Sequence, residues 1–142
     1  MRFWDSTAIV PLVLDEGASE DARAALHEDR DMVVWWGTPV EVSSALARAE
    51  RGRGVPSADA DLARRALEDL RERWNEILPS DEVRERAQVG LLHHPLRAGD
   101  ALQLGAALVW ARGRPRAHGF LSLDERLADA ARREGFEVLT LS

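Results

Sequence analysis

The run Met32-Val-Val-Trp-Trp36 is apolar at every position, and in an extended strand successive side chains point to opposite faces. Both faces of such a strand must be covered, the condition of a parallel strand lying between two layers of helices. The rest of the chain supplies those helices. Met1 to Thr7 reads as a short buried strand that ends at Asp5 and turns directly into a helix over about 6–14, and a second helix over about 18–28 places Ala22, Ala25 and Leu26 on one face. Thr38-Pro-Val-Glu41 opens a third helix, ended near 51 by Gly52 and Gly54. A long helix over 58–76 carries Ala63, Ala66, Leu67, Leu70, Trp74 and Ile77 at helical spacing, and Ile77-Leu78 then forms a very short third strand.

Ser80 caps a helix that reaches about 94, where Pro95 stops it. Gly99-Asp100 starts a helix over 101–112 that is apolar almost all round and therefore central. The fourth strand is expected at 118–123, a helix over 124–134 ends at Gly135, and the fifth strand spans 136–141. Strands alternating with helices predict right-handed crossovers and a mostly parallel five-stranded sheet with helices on both faces. The 142 residues fit one domain, 1–142, large enough to bury about two-thirds of its unfolded surface.

No cysteine is present, which excludes disulfides, thiolate metal sites and a cysteine nucleophile. All 19 basic residues are arginine, so every mechanism that needs a catalytic lysine is excluded too. The longest strongly apolar stretch, Ala101 to Ala111, is interrupted by Gln103 and falls short of the ~20 residues of a membrane span. The N-terminus lacks a basic region followed by an apolar run and a small-residue cleavage site, and a leader beginning at Met1 would carry Asp5 away with it. A cytoplasmic location is expected.

The strand pattern directs attention to Asp5, because in an open α/β sheet ligands bind outside the carboxyl ends of the strands. Three later carboxylates, Glu41, Asp100 and Asp124, fall where a returning chain reaches the same edge: the helices after strands one, two and four begin there, and the helix from Asp100 runs antiparallel to strand four. Each also has an ordinary reading. Thr38-Pro-Val-Glu41 fits a capping box with Thr38 at N-cap and Glu41 at N3, while Asp5, Asp100 and Asp124 fit as N-caps of the helices they precede.

Together the four carboxylates make a site, because two unit charges about 5 Å apart repel by roughly 3 kcal/mol at an effective dielectric near 20. Such a cluster requires protons or a cation. Hard oxygen ligands suit Mg2+ or Mn2+ rather than zinc, and such an ion activates water for attack on a phosphodiester. The net charge of −6 does not exclude a nucleic-acid partner: taking those four charges away leaves −2.

Asp5-Ser-Thr7 after the first strand, Pro39-Val-Glu-Val-Ser-Ser-Ala-Leu46, Gly99-Asp-Ala-Leu102 and Phe120-Leu-Ser-Leu-Asp-Glu-Arg-Leu127 occur in an order and spacing that resembles the PIN-domain ribonucleases, especially the small VapC-type toxins of bacterial toxin–antitoxin pairs. The resemblance covers essentially the whole chain. It implies a PIN-like three-layer α/β/α sandwich in which Asp5, Glu41, Asp100 and Asp124 are the catalytic and metal-binding set. Ser6 or Thr7 would hold Asp5, and Ser122 occupies another position where the family often carries a small hydroxyl residue. The implied activity is an Mg2+- or Mn2+-dependent endoribonuclease acting on RNA, the implied assembly a homodimer, and the implied inhibitor a cognate VapB-type antitoxin.

Arg48, Arg51, Arg53, Arg97 and the segment from Arg112 to Arg116 are candidates for gripping RNA phosphates, with a solvated face or helix C-terminal charges as the ordinary reading. His93 and His94 point about 100° apart on a helix and are read as surface residues, and Trp4, Trp35 and Trp110 are expected in the core. A phosphatase or receiver-like domain on a similar sheet is disfavoured by the missing lysine and by Thr7, where a dehalogenase-like site carries a second acid. The rival from a different class is a non-catalytic PIN-like module that binds RNA or protein and keeps the four carboxylates as caps.

Overall fold

The computed structural model describes all residues, 1–142. The chain alternates β1 (Arg2–Trp4), α1 (Ser6–Val13), α2 (Ser19–Glu28), β2 (Met32–Trp35), α3 (Thr38–Gly52), α4 (Ser57–Arg71), β3 (Asn75–Ile77), α5 (Asp81–His93), α6 (Ala98–Trp110), β4 (Gly119–Leu121), α7 (Glu125–Glu134) and β5 (Glu137–Leu139). The five strands form one sheet in the order β3-β2-β1-β4-β5, and every neighbouring pair is parallel. The chain therefore builds outward from β1 to β3 and then returns to the other side of β1. That reversal sets a topological switch point between the carboxyl ends of β1 and β4.

Strand alternation divides the core into two halves. Trp4, Met32, Val34 and Leu121 face α1 to α4, where Ile9, Leu46, Ala63 and Leu67 pack on them, whereas Phe3, Val33, Trp35 and Phe120 face α5 to α7 and meet Leu104, Ala107 and Leu127. Met32 to Trp35 are all buried, as a strand covered on both faces requires. Each fully buried large apolar side chain contributes about 1.5–3 kcal/mol relative to exposure, so Trp4, Phe3 and Phe120 at the centre of the sheet are major terms.

Helices α5 and α6 cross in very close contact. A Cβ added at Gly105 would lie 2.8 Å from the Val83 carbonyl oxygen and 3.0 Å from the Ala87 nitrogen, both backbone atoms. Gly105→Ala is therefore expected to force the two helices apart and destabilise the fold by about 1–3 kcal/mol. A denaturant midpoint unchanged from wild type would contradict this packing.

Several expectations are corrected. The fourth helix stops at Arg71, not Glu76, and the strand begins at Asn75, because main-chain pairing with Val33 to Trp35 and the Asn75 side-chain bond to the Met32 carbonyl (3.2 Å) override the helical spacing of Trp74 and Ile77. The sixth helix begins at Ala98 rather than Ala101, and β4 and β5 are shorter than their apolar runs. Trp110 is only partly buried and Trp36 is 53% exposed, while Trp74 is buried. His94 is buried rather than on the surface: as the C-cap of α5 it turns its ring inward, where Nε2 meets Glu134 Oε2 at 3.0 Å. No helix is long and apolar enough to cross a membrane.

Candidate functional site

Asp5 follows β1 at the switch point and is 1% exposed. Although it stands at the N-cap position of α1, its carboxylate makes no capping bond, so the ordinary reading of this residue is not realised. Three hydroxyls hold it instead. Ser6 Oγ donates to Oδ1 at 3.3 Å, while Thr7 Oγ1 and Ser122 Oγ, the latter at 2.8 Å, both donate to Oδ2. An ionised carboxylate only accepts, so the hydroxyls donate to it, while their oxygens accept from the backbone: Leu123 N–H donates to Thr7 Oγ1 (2.8 Å) and Asp124 N–H to Ser122 Oγ (3.0 Å). The turn after β4 is thus knitted to the first turn of α1.

Burial pushes the Asp5 carboxyl up to about 6, with the Thr7 and Ser122 hydrogen bonds opposing the rise and the charges of Glu41 and Asp100 adding to it. Asp100 is raised as well, first by desolvation and then by the charge of Asp124, while the Arg97 backbone N–H lowers it and Glu41 raises it. Asp5 and Asp100 thus each sense two of the other three acids.

Glu41 does not complete a capping box. Gly37 is the N-cap of α3, Thr38 is already its first residue, and no side chain caps the helix, which moves Glu41 one position beyond reciprocal reach. Its carboxylate crosses to α6 instead, where Gln103 Nε2 donates to Oε2 at 2.8 Å. Oε1 lies 3.3 Å from where a Cβ on Gly99 would stand, so only bare backbone at 99 leaves it full room. Asp100 is not an N-cap either: Arg97 holds that position, and Asp100 sits in the first turn of α6. Asp124 alone realises its ordinary reading, capping α7 through Oδ1, which accepts from Arg126 N–H (2.9 Å) and Leu127 N–H (3.1 Å).

Asp100 and Asp124 face each other across an open cleft of about 690 Å³ whose walls include Arg97, Gly99, Glu125 and Arg126. Of the arginines singled out in the sequence, only Arg97 lines this cleft. Arg53 pairs with Glu16 at 3.0 Å, and Arg112 to Arg116 follow the far end of α6 from Asp100. Arg126 went unnoticed because a basic residue in a helical first turn carries no sequence signal of its own.

The donor set fits a hard divalent cation in chemistry: the four acids at the rim, Asp5, Glu41, Asp100 and Asp124, offer only oxygen, and the repulsion recorded by Asp5 and Asp100 is what a cation relieves. As the side chains stand, no three acidic or imidazole groups lie close enough to share one ion.

No family model matches the sequence, and no curated protein matches it. Among solved structures, the chain is similar to one in a toxin–antitoxin complex from Klebsiella pneumoniae, with TM-score 0.67 and 17% identity over 99% of this chain and 97% of that one. A chain of FitAcB from Neisseria gonorrhoeae gives TM-score 0.66 and 14% identity over 98% and 96% of the two chains. A chain of VapBC2 from Rickettsia felis, bound to a DNA fragment from its promoter, gives 0.64 and 7% over 99% and 98%. At these identities what is shared is the path of the backbone, end to end. The five-stranded parallel sheet between two helical layers is a PIN-like α/β/α fold.

Proposed function

We propose that this chain is a divalent-metal-dependent endoribonuclease acting as the toxin of a toxin–antitoxin pair, restrained by a cognate VapB-type antitoxin and working as a homodimer. The observation that carries the reading is Asp5: a nearly inaccessible carboxylate at the switch point, held by three hydroxyls rather than spent on its helix, with Glu41 and Asp100 close enough to raise its proton affinity. Likeness in fold to chains of toxin–antitoxin complexes supports the biological role.

Asp5, Glu41, Asp100 and Asp124 would hold Mg2+ or Mn2+. Such an ion supplies an activated water and stabilises charge developing on a phosphodiester. Within that chemistry, Ser6, Thr7 and Ser122 keep Asp5 oriented, and the protons donated by Thr7 and Ser122 favour its ionised form. Arg97 and Arg126, on the walls of the cleft, offer guanidinium groups to the phosphates flanking the scissile bond. The rival reading, a non-catalytic binding module, needs the carboxylates as caps. Asp124 meets that need, but Asp5 and Glu41 do not.

Glu41→Gln tests the proposal. The variant keeps shape and hydrogen-bonding capacity, so the melting temperature is expected to change little, while cleavage of a fluorescent RNA falls by about 10²–10³-fold, the scale on which single charge-handling groups act. A variant that cleaves like wild type would remove Glu41 from the site and favour the binding module.

A further inference from the structure

Gln103 is fully buried in α6 and is the one polar side chain between Ala101 and Ala111. Its amide nitrogen donates twice, to Glu41 Oε2 at 2.8 Å and to Thr38 Oγ1 at 3.0 Å, while its amide oxygen has no hydrogen-bond partner. Turning the amide over would set its oxygen against the Glu41 carboxylate, acceptor against acceptor, so this orientation is chemically required. An unpartnered buried acceptor costs stability that an apolar side chain of the same shape would not. Folding alone therefore gives no reason for an amide here, and its two donated bonds point to the reason.

We propose that Gln103 is a positioning residue that holds the Glu41 carboxylate toward Gly99 and Asp100, in place for a divalent cation. The proposal rests on the carboxylate-rim reading given above. Of the four acids, Glu41 has the longest and most freely rotating side chain, and it alone lacks support from its own loop: Asp5 is held by hydroxyls, Asp124 by its cap, and Asp100 lies beside the Arg97 backbone. Gln103, one turn beyond Asp100 on the same helix, fixes Glu41 relative to Asp100. Thr38, also fully buried, engages the amide's second proton and prevents the amide from rotating away. Gly99 keeps the space between them open.

Manganese binding to the purified chain, read by electron paramagnetic resonance, separates the possibilities without reference to activity. Gln103→Met preserves shape and removes both donors; it is expected to stay folded by circular dichroism and to weaken manganese affinity about 10- to 100-fold, as loss of a ligand-orienting partner does. Gln103→Asn keeps the amide but withdraws it by one methylene, and is expected to give a loss in the same range, which guards against a packing artefact in either variant. In the Glu41→Gln background Gln103→Met should cause no further loss, because its effect passes through Glu41. Wild-type affinity in Gln103→Met, or a loss that simply adds to that of Glu41→Gln, would overturn the positioning role while leaving the metal site intact. Wild-type affinity in Glu41→Gln would overturn the carboxylate-rim reading for that residue, and the proposal with it.

Discussion

Asp5→Asn is expected to abolish RNA cleavage and at the same time to raise the melting temperature of the metal-free protein. The two effects share one cause. Asp5 is buried among other acids, and its carboxyl is pushed up from 3.8 to about 6, chiefly by desolvation. The folded protein therefore binds this proton more tightly than the unfolded chain does, and at neutral pH the ionised group opposes folding by an amount on the order of 3 kcal/mol. Asparagine carries no charge, and its oxygen can accept the Thr7 and Ser122 hydroxyls in place of Oδ2, so little is lost in exchange. A gain of about 1–3 kcal/mol is expected, several degrees in a domain of this size.

The sign fixes the pH dependence. Lowering the pH through about 6 toward 3.8 protonates Asp5 in the folded wild type and removes the penalty, so the advantage of Asp5→Asn is largest at pH 7 and above and disappears near pH 4. Paired melts of both proteins across that range measure it directly, since titrations remote from Asp5 cancel in the difference. A pH-independent difference, or a variant less stable than wild type at pH 7, would contradict the burial and charge environment described for this residue. Activity is expected to fall by about 10²–10³-fold or more, because the variant removes charge without removing volume. Retained cleavage would release Asp5 from the chemistry.

Much of this architecture was legible in the amino-acid pattern, for reasons that differ by element. Met32 to Trp35 carries its own instruction, since no single-faced environment accepts four consecutive buried apolar side chains. Asp5, Glu41 and Asp124 come to one rim because parallel strands place each following helix start at the same edge, and Asp100 joins them because α6 leads back into β4 from that edge. Local competition was harder to read. Trp74 and Ile77 continue the helical spacing of α4, but main-chain pairing with β2 takes their segment into the sheet. Thr38 and Glu41 have the spacing of a capping box, yet the helix begins one residue earlier than that box requires, and Glu41 finds its partner on another helix. His94 looks exposed beside His93 until the chain turns it onto Glu134. Gln103 did leave a sequence signal, a lone amide in an apolar run, but a pattern cannot say what a buried amide faces.

Removal of divalent ions is expected to stop cleavage completely. Mg2+ or Mn2+ should restore it, because the carboxylates supply oxygen ligands but no group of their own that ionises water at neutral pH. Calcium, larger and less demanding in geometry, is expected to bind without restoring the reaction. The same ions should stabilise the fold, since the unfolded chain presents no assembled rim. At a free ion concentration ten times the dissociation constant the gain is about 1.4 kcal/mol, or roughly 4 °C. That gain must fade at low pH, as the acids take up protons and cease to be ligands.

Thermal melts with and without manganese at neutral pH, run in parallel on wild type and Asp5→Asn, test the central claim most directly. An upward shift of about 4 °C in wild type that is lost or sharply reduced in Asp5→Asn is the predicted result; an equal shift in both proteins would mean that the ion binds elsewhere and that the four-carboxylate rim is not a metal site.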